Sequence, residues 1–258
     1  MKSLETRVFE EISGFKGRIG LVIEIDNEQI QVNSLEVFQS ASLIKVPILI
    51  EALRQCDNRE LGENDPVPVF KDAIVGGSGV LQALSPNVRL TVRDVMTLMI
   101  IVSDNTATNL LIDLLGMDAI NRFMRQSGLK QTELNRKMMD FQAILQGRDN
   151  YTSPLDMIQC LKWMTEGTIL SMESQALALE IMGIQQFKDK LPARMDDDRL
   201  FVANKTGELP KVEHDCAVLQ FGKKTAFVAV LMDQIEDLQA GKQTMKNLGK
   251  HIFDYLVE

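Results

Sequence analysis

Residues 38–47 read Phe-Gln-Ser-Ala-Ser-Leu-Ile-Lys-Val-Pro, and the reading of the chain turns on whether Ser42 and Lys45 face each other. On a helix that starts near Ser42, positions i and i+3 share one face, so the Lys45 amine can reach the Ser42 hydroxyl. The helix N-terminus also offers a free backbone N–H and a positive dipole end to a developing oxyanion. A serine alone is a weak nucleophile at neutral pH, and Lys45 has to be partly desolvated to serve as its base. Pro47 removes an N–H just inside such a helix and predicts a distorted first turn. Serine and lysine are common residues, so the spacing carries weight only in company.

Two more short motifs supply the company. Ser103-Asp104-Asn105 stands between the apolar run that ends at Val102 and a second helix-like stretch, Thr106–Leu115. All three residue types favour a helix stop followed by an N-cap, which is the plain structural alternative. The functional one has Ser103 relaying a proton to a leaving group and Asn105 bonding a substrate amide. Lys205-Thr206-Gly207 falls on a strand expected over Leu200–Gly207. There glycine permits close approach of a ligand to the backbone and Lys205 supplies positive charge. An edge strand with an ordinary exposed lysine is the alternative. Each motif has an innocent explanation; three in this order make coincidence a poor one.

Outward from these motifs, the two ends of the chain predict a sheet. Leu4, Val8, Ile12 and Phe15 recur at helical spacing. Ile19, Leu21, Ile23 and Ile25 alternate with Arg18, Gly20, Glu24 and Asp26, which predicts a strand with one wet face, and Asp26-Asn27 turns it into a second strand through Ile30 and Val32. Near the other end, Cys216–Phe221 and Thr225–Met232 read as strands joined through Gly222-Lys223-Lys224, before a helix bearing Met245, Leu248, Ile252 and Tyr255 on one face. The middle reads as helical, with starts at Thr91–Asp94 and Ser153-Pro154 and stops at Gly116, Gly128, Gly167 and Gly183. The expected fold is α+β: an antiparallel sheet built from both chain ends and flanked by helices, with an all-helical lobe inserted. Residues 1–41 plus 191–258 would form the sheet lobe and 42–190 the helical lobe of one structural unit. The interface between them is a natural place for a site.

Composition narrows the chemistry. Among 258 residues, 36 acidic against 28 basic side chains give a net charge of −8, with no Lys/Arg-rich block to suggest nucleic acid. The longest apolar runs, Leu98–Val102 and Ala226–Met232, are too short to cross a bilayer. The opening Met-Lys-Ser-Leu-Glu-Thr-Arg lacks the apolar core and small-residue cleavage site of a secretory signal, which predicts a cytoplasmic chain or one whose leader has been trimmed. Cys56, Cys160 and Cys216 are far apart and form no CxxC pair, as expected of buried or reduced thiols. His214 falls in what reads as an acidic turn and His251 in the last helix, so a Ser-His-Asp triad has little material.

S-x-x-K, S-D-N and K-T-G together are the set found in class A β-lactamases and penicillin-binding proteins, and this chain resembles that superfamily over nearly its whole length. The likeness extends to Phe38–Pro47, to Gly77-Ser78-Gly79-Val80-Leu81, and to Leu90 through Asn109. The resemblance implies a serine acyl-enzyme hydrolase of small-molecule amides or esters, β-lactams among them, with an association with antibiotic resistance and no metal or organic cofactor. Carried over residue by residue, Ser42 attacks, Lys45 accepts its proton, and Ser103 helps protonate the departing nitrogen. Lys205 and Thr206 hold a substrate carboxylate beside Gly207, Asn105 binds a side-chain amide, and the N–H groups of Ser42 and Glu208 form the oxyanion hole.

Two departures qualify this. Class A β-lactamases carry a glutamate that activates the water clearing the acyl-enzyme; the family's spacing lands here on Met138 or Met139, and a thioether takes no proton. Glu133 and Asp140 are the nearby carboxylates, and Arg136 with Asp149 could form the ion pair that closes this loop. After Lys205-Thr206-Gly207 the family has a small or hydroxyl residue and then glycine, where this chain has Glu208 and Leu209. An inward-pointing Glu208 would repel an anionic substrate. The expectation is therefore acylation by β-lactams with weak or slow hydrolysis. An esterase, amidase or D-alanyl carboxypeptidase relative is one alternative, and a binding or sensor protein with a persistent acyl-enzyme is another.

Overall fold

Helix α1 (Lys2–Ile12) buries Leu4 and Val8, one turn apart, and in the computed structural model, which describes residues 1–85 and 87–258, it lies against a five-stranded sheet. Strand β1 (Arg18–Ile25) turns through Asp26 and Asn27, both left-handed (φ 51° and 66°), into β2 (Glu28–Val32). That pair of positive φ angles is what a two-residue hairpin turn requires, and Asn and Asp tolerate it best after glycine. The nucleophile segment enters on β3 (Phe38–Gln39), which is followed by a 3-10 turn over Ala41–Ile44 and by α2 (Lys45–Asp57).

The inserted region continues with β4 (Pro66–Val67), β5 (Leu90–Thr91), α3 (Val92–Ile101), α4 (Asn105–Leu115) and α5 (Met117–Gln126). Then come α6 (Phe141–Leu145), β6 (Tyr151–Thr152), α7 (Pro154–Trp163) and α8 (Met172–Gly183). Thr91 and Asp94 form the reciprocal capping box, Ser153 caps α7 ahead of Pro154, and Gly116 ends α4 at φ 84°. The chain returns to the sheet through β7 (Phe201–Leu209), β8 (Val212–Phe221) and β9 (Lys224–Asp233), then closes with α9 (Leu238–Val257). Strand order is β2-β1-β9-β8-β7, antiparallel throughout, so both chain ends build the sheet and β7 is an edge. The short pairs β4–β5 and β3–β6 add two small ladders to the helical region.

Two expectations need correction. Strand β1 has no wet face: every residue after Arg18 is buried. One face of the sheet carries Leu21, Ile23 and Val230 against α1 and α9; the other carries Val22, Val218 and Ala229 against the helical region. Glu24 is tolerated there because Lys162 of α7 lies 2.5 Å from its carboxylate and Gln29 donates to it. Likewise β8 begins four residues earlier than expected, and His214 lies inside it, fully buried, instead of in a turn. Glu213, His214 and Asp215 look like a surface stretch but each finds a partner within the protein. Among the described residues, no helix is long and apolar enough to cross a membrane.

Candidate active site

Ser42 sits in the 3-10 turn and Lys45 opens α2, a break in helix type that fits the proline two residues on. A 3-10 turn has three residues per turn, so i and i+3 eclipse and the two side chains share one face. Ala41, just before, is left-handed at φ 47°. Ser103 is left-handed too, at φ 52°, in the link between α3 and α4. Non-glycine residues held there cost on the order of 1–2 kcal/mol each, and such strain gathers at functional sites.

Asp104 holds the strained link in place. Its buried carboxylate caps α4 by accepting from Ala107 N (2.9 Å) and ties down the neighbouring loop by accepting from Val80 N (2.6 Å) and Leu81 N (2.9 Å). Gly79 is obligatory beneath it, since a Cβ there would lie 2.3 Å from that carboxylate. The helix-stop reading of Ser103-Asp104-Asn105 is therefore correct for Asp104, and it is the cap that fixes Ser103 and Asn105 where they stand.

The three motifs meet at Ser103. Its Oγ lies 2.8 Å from Ser42 Oγ, and it accepts from Lys45 Nζ at 3.0 Å and from Lys205 Nζ at 3.2 Å. Lys45 Nζ also donates to Ser103 O (2.8 Å) and Asn105 Oδ1 (3.0 Å), so Ser103 bridges Lys45 to Ser42. Lys205 donates further to Thr206 O at 2.8 Å. Both lysines are fully buried, so Lys205, although on the edge strand β7, is not the ordinary exposed lysine of the alternative reading. Burial pushes the Lys45 amine well below the ordinary lysine range, and the Lys205 charge adds to the push while Asp104 opposes it. Burial likewise brings Lys205 down to about 7, with Asp215 opposing and Lys190 adding to it. Once deprotonated, Lys45 would keep two N–H donors for Ser103 O and Asn105 Oδ1 and free its lone pair for the Ser103 hydroxyl, which is the state a base requires.

A cleft of about 490 Å³ opens over these groups. Ser42, Ser103, Thr206 and Glu208 line it, and Asn105 is bonded to Gly76 O at its side (3.1 Å). Gly207 lies beneath, where an added Cβ would come within 3.3 Å of Ser40 O. The Glu208 side chain is 60% exposed, with its carboxylate 3.7 Å from Lys190 Nζ and 3.6 Å from Lys242 Nζ. Sequence reasoning missed Lys190, Asp189, Phe187 and Ser78, which complete the lining. Residues 186–190, Gln-Phe-Lys-Asp-Lys, carry no motif in the sequence, and only the pairing of Lys190 with Glu213 distinguishes that lysine from its neighbours. Ser78 had a signal, its place between two glycines.

The loop over 132–150 is closed from both ends. Arg136 Nε lies 2.7 Å from Asp149 Oδ1 with both side chains buried, and Gln39 Nε2 donates to Asp149 Oδ2 (2.9 Å). Asn109, also missed, grips the backbone of Met138: its Oδ1 accepts from Met138 N (2.8 Å) and its Nδ2 donates to Met138 O (3.1 Å). Met138 is 7% exposed and packs into the core. Glu133 is exposed and accepts from Asn135 Nδ2 (3.1 Å), while Asp140 caps α6 by accepting from Ala143 N (2.9 Å). Among the described residues, no group of three or more His, Cys, Asp or Glu side chains is placed to hold a metal ion.

Comparison with known proteins gives the chain a family and a fold. A model of the beta-lactamase enzyme family matches residues 3–256. A beta-lactamase of Rhodobacter capsulatus is 27% identical over 223 residues, covering 84% of this chain and 75% of that protein. The beta-lactamase of Sphaerobacter thermophilus superposes with a TM-score of 0.90 at 29% identity, covering 99% of this chain and 97% of its own. PBP-A superposes at 0.89 with 26% identity, covering 99% and 96%, and a leucine-to-glutamate mutant of it was solved as an acyl-enzyme complex with penicillin G.

Proposed function

The chain belongs to the beta-lactamase enzyme family, and from that premise we propose that it is a serine hydrolase acylated at Ser42 by β-lactams and slow to release the acyl group. The observation that carries this reading is the position of Ser103 Oγ, in hydrogen-bonding reach of Ser42, Lys45 and Lys205 at once.

The Ser42 hydroxyl passes its proton to Ser103 Oγ as Ser103 gives its own to the lone pair of Lys45, and Ser42 Oγ bonds to the lactam carbonyl carbon. Lys205, donating to the Ser103 oxygen, stabilises the charge that develops there. The carbonyl oxygen becomes an oxyanion held by the N–H groups of Ser42 and Glu208. When the C–N bond breaks, the proton returns from Lys45 through Ser103 to the departing nitrogen, and the ester remains on Ser42. Lys205 and Thr206 hold the substrate carboxylate above Gly207, and Asn105 binds the side-chain amide. Release requires a base for water, and Met138, at the position the family gives to glutamate, cannot supply one.

Intact-protein mass spectrometry after mixing with benzylpenicillin and with a chromogenic cephalosporin tests this. The expected result is an adduct of the antibiotic's mass that persists while little product forms. An adduct that vanishes as product accumulates would contradict slow release. Turnover of simple esters in the absence of any β-lactam adduct would favour an esterase.

A further inference from the structure

The peptide between Gly207 and Glu208 carries an N–H assigned above to the oxyanion site, and its other edge is held by a buried cation. Lys190 Nζ donates to Gly207 O at 2.9 Å, with His214 O at 3.5 Å. Its ammonium lies 2.5 Å from Glu213 Oε2, and the two side chains are only 2% and 1% exposed. Glu213 in turn faces Lys242 at 3.3 Å, so Lys190 shares that carboxylate with a second ammonium.

The orientation follows from backbone geometry. A trans peptide sets its C=O and N–H on opposite edges, so a cation on the Gly207 carbonyl stands behind the Glu208 N–H. Along a strand, groups two residues apart point to the same side. Thr206 O accepts from Lys205 Nζ, which itself reaches Ser103, so that side is the cleft, and Glu208 N–H points there as well. On Gly207, an added Cβ would meet Ala41 Cβ at 3.2 Å and Ser40 O at 3.3 Å, so the segment bearing Ser42 rests on this same peptide. A shift of its plane would move one oxyanion donor relative to the nucleophile.

We propose that Lys190 is a positioning residue for the oxyanion site: it fixes the Gly207–Glu208 peptide plane and polarises it, so that the Glu208 N–H is a stronger donor to the developing oxyanion. The proposal rests on the acylation of Ser42 set out above. A charge-assisted bond on the carbonyl is stronger than a neutral one, and hydrogen bonds in series across a peptide reinforce each other where water is excluded.

The test is infrared difference spectroscopy of the acyl-enzyme formed with benzylpenicillin carrying ¹³C at the lactam carbonyl, together with the acylation rate. Lys190→Met is combined with Glu213→Gln so that no unpaired carboxylate is left buried. The ester carbonyl stretch should move to higher frequency than in the wild type, and acylation at saturating antibiotic should slow about tenfold, a fraction of the 10²–10³ that accompanies loss of a whole donor. Lys190→Arg, which keeps a cation on Gly207 O, should return the stretch toward its wild-type value. Should the methionine variant fail to fold, Lys190→Gln with Glu213→Gln, which keeps a neutral donor, should give a smaller upward shift. An unmoved stretch and a rate within twofold of wild type in a folded variant would overturn the role of Lys190 while leaving Ser42 acylation intact. Absence of any adduct in the wild type would overturn both.

Discussion

Replacing Met138 by glutamate should convert a persistent acyl-enzyme into one that turns over. The backbone at this position is held through both its N–H and its C=O by the Asn109 amide, at 2.8 and 3.1 Å, an anchor that does not involve the side chain. A carboxylate at a site 7% exposed loses solvation, which raises its affinity for a proton toward the range a general base needs. A positioned general base is worth about 10²–10⁴ in rate, and the adduct lifetime should shorten by that factor. The accompanying loss of core packing and burial of charge should cost about 2–5 kcal/mol of stability. The assay is the decay of the penicillin adduct by intact mass after excess antibiotic is removed, alongside steady-state cephalosporin hydrolysis. Met138→Gln, of similar length and without a base, should leave the lifetime unchanged, and adding Asn109→Ala to Met138→Glu should erase the gain. A folded Met138→Glu protein whose adduct lives within twofold as long as wild type would refute the assignment of Met138 to the base position.

Three further outcomes follow from the same geometry. Asp104→Ala strands three backbone N–H groups in a buried link, at roughly 1–3 kcal/mol apiece, so urea unfolding should show at least about 3 kcal/mol lost; a change under about 1 would contradict the role of Asp104. The second-order rate of acylation should fall as pH rises through about 7, where Lys205 gives up its charge, while Lys205→Arg should carry the plateau to higher pH; an unmoved falling limb would reject Lys205 as its source. His214, held neutral by burial, is lowered from 6.5 to about 4, so the unfolded chain takes up its proton first as pH drops. The stability margin of wild type over His214→Gln should therefore shrink by about 3 kcal/mol between pH 6.5 and 4. Asp215, raised to about 7, pulls the other way in both proteins and cancels in that difference; a flat margin would contradict burial as the cause.

The parts of this molecule that could be read from sequence are those where local chemistry and position coincide. Asp26-Asn27, the Thr91–Asp94 capping box and Ser153-Pro154 each announce a local backbone state that the fold then uses. Ser42, Lys45, Ser103 and Lys205 were legible only as a set, because each alone also suits a cap, a turn or a surface. Long-range pairing of charged residues was hidden. Glu24 reads as solvent-facing until Lys162 arrives from 138 residues away. Glu213, His214 and Asp215 read as a turn because their partners, Lys190, Gln39 O and Leu191 N, come from distant segments. The central place of Ser103 was hidden too, since no spacing rule says that two lysines 160 positions apart (45 and 205) would converge on one hydroxyl.

The most direct measurement of the central claim is the location of the covalent adduct. Wild type should be treated with benzylpenicillin, quenched, digested and mapped by tandem mass spectrometry, in parallel with Ser42→Ala. The penicilloyl mass is expected on Ser42 in the wild type and no adduct in the variant, with both proteins unfolding at similar temperatures. A penicilloyl group on any other residue, or an undiminished adduct in Ser42→Ala, would contradict Ser42 as the nucleophile.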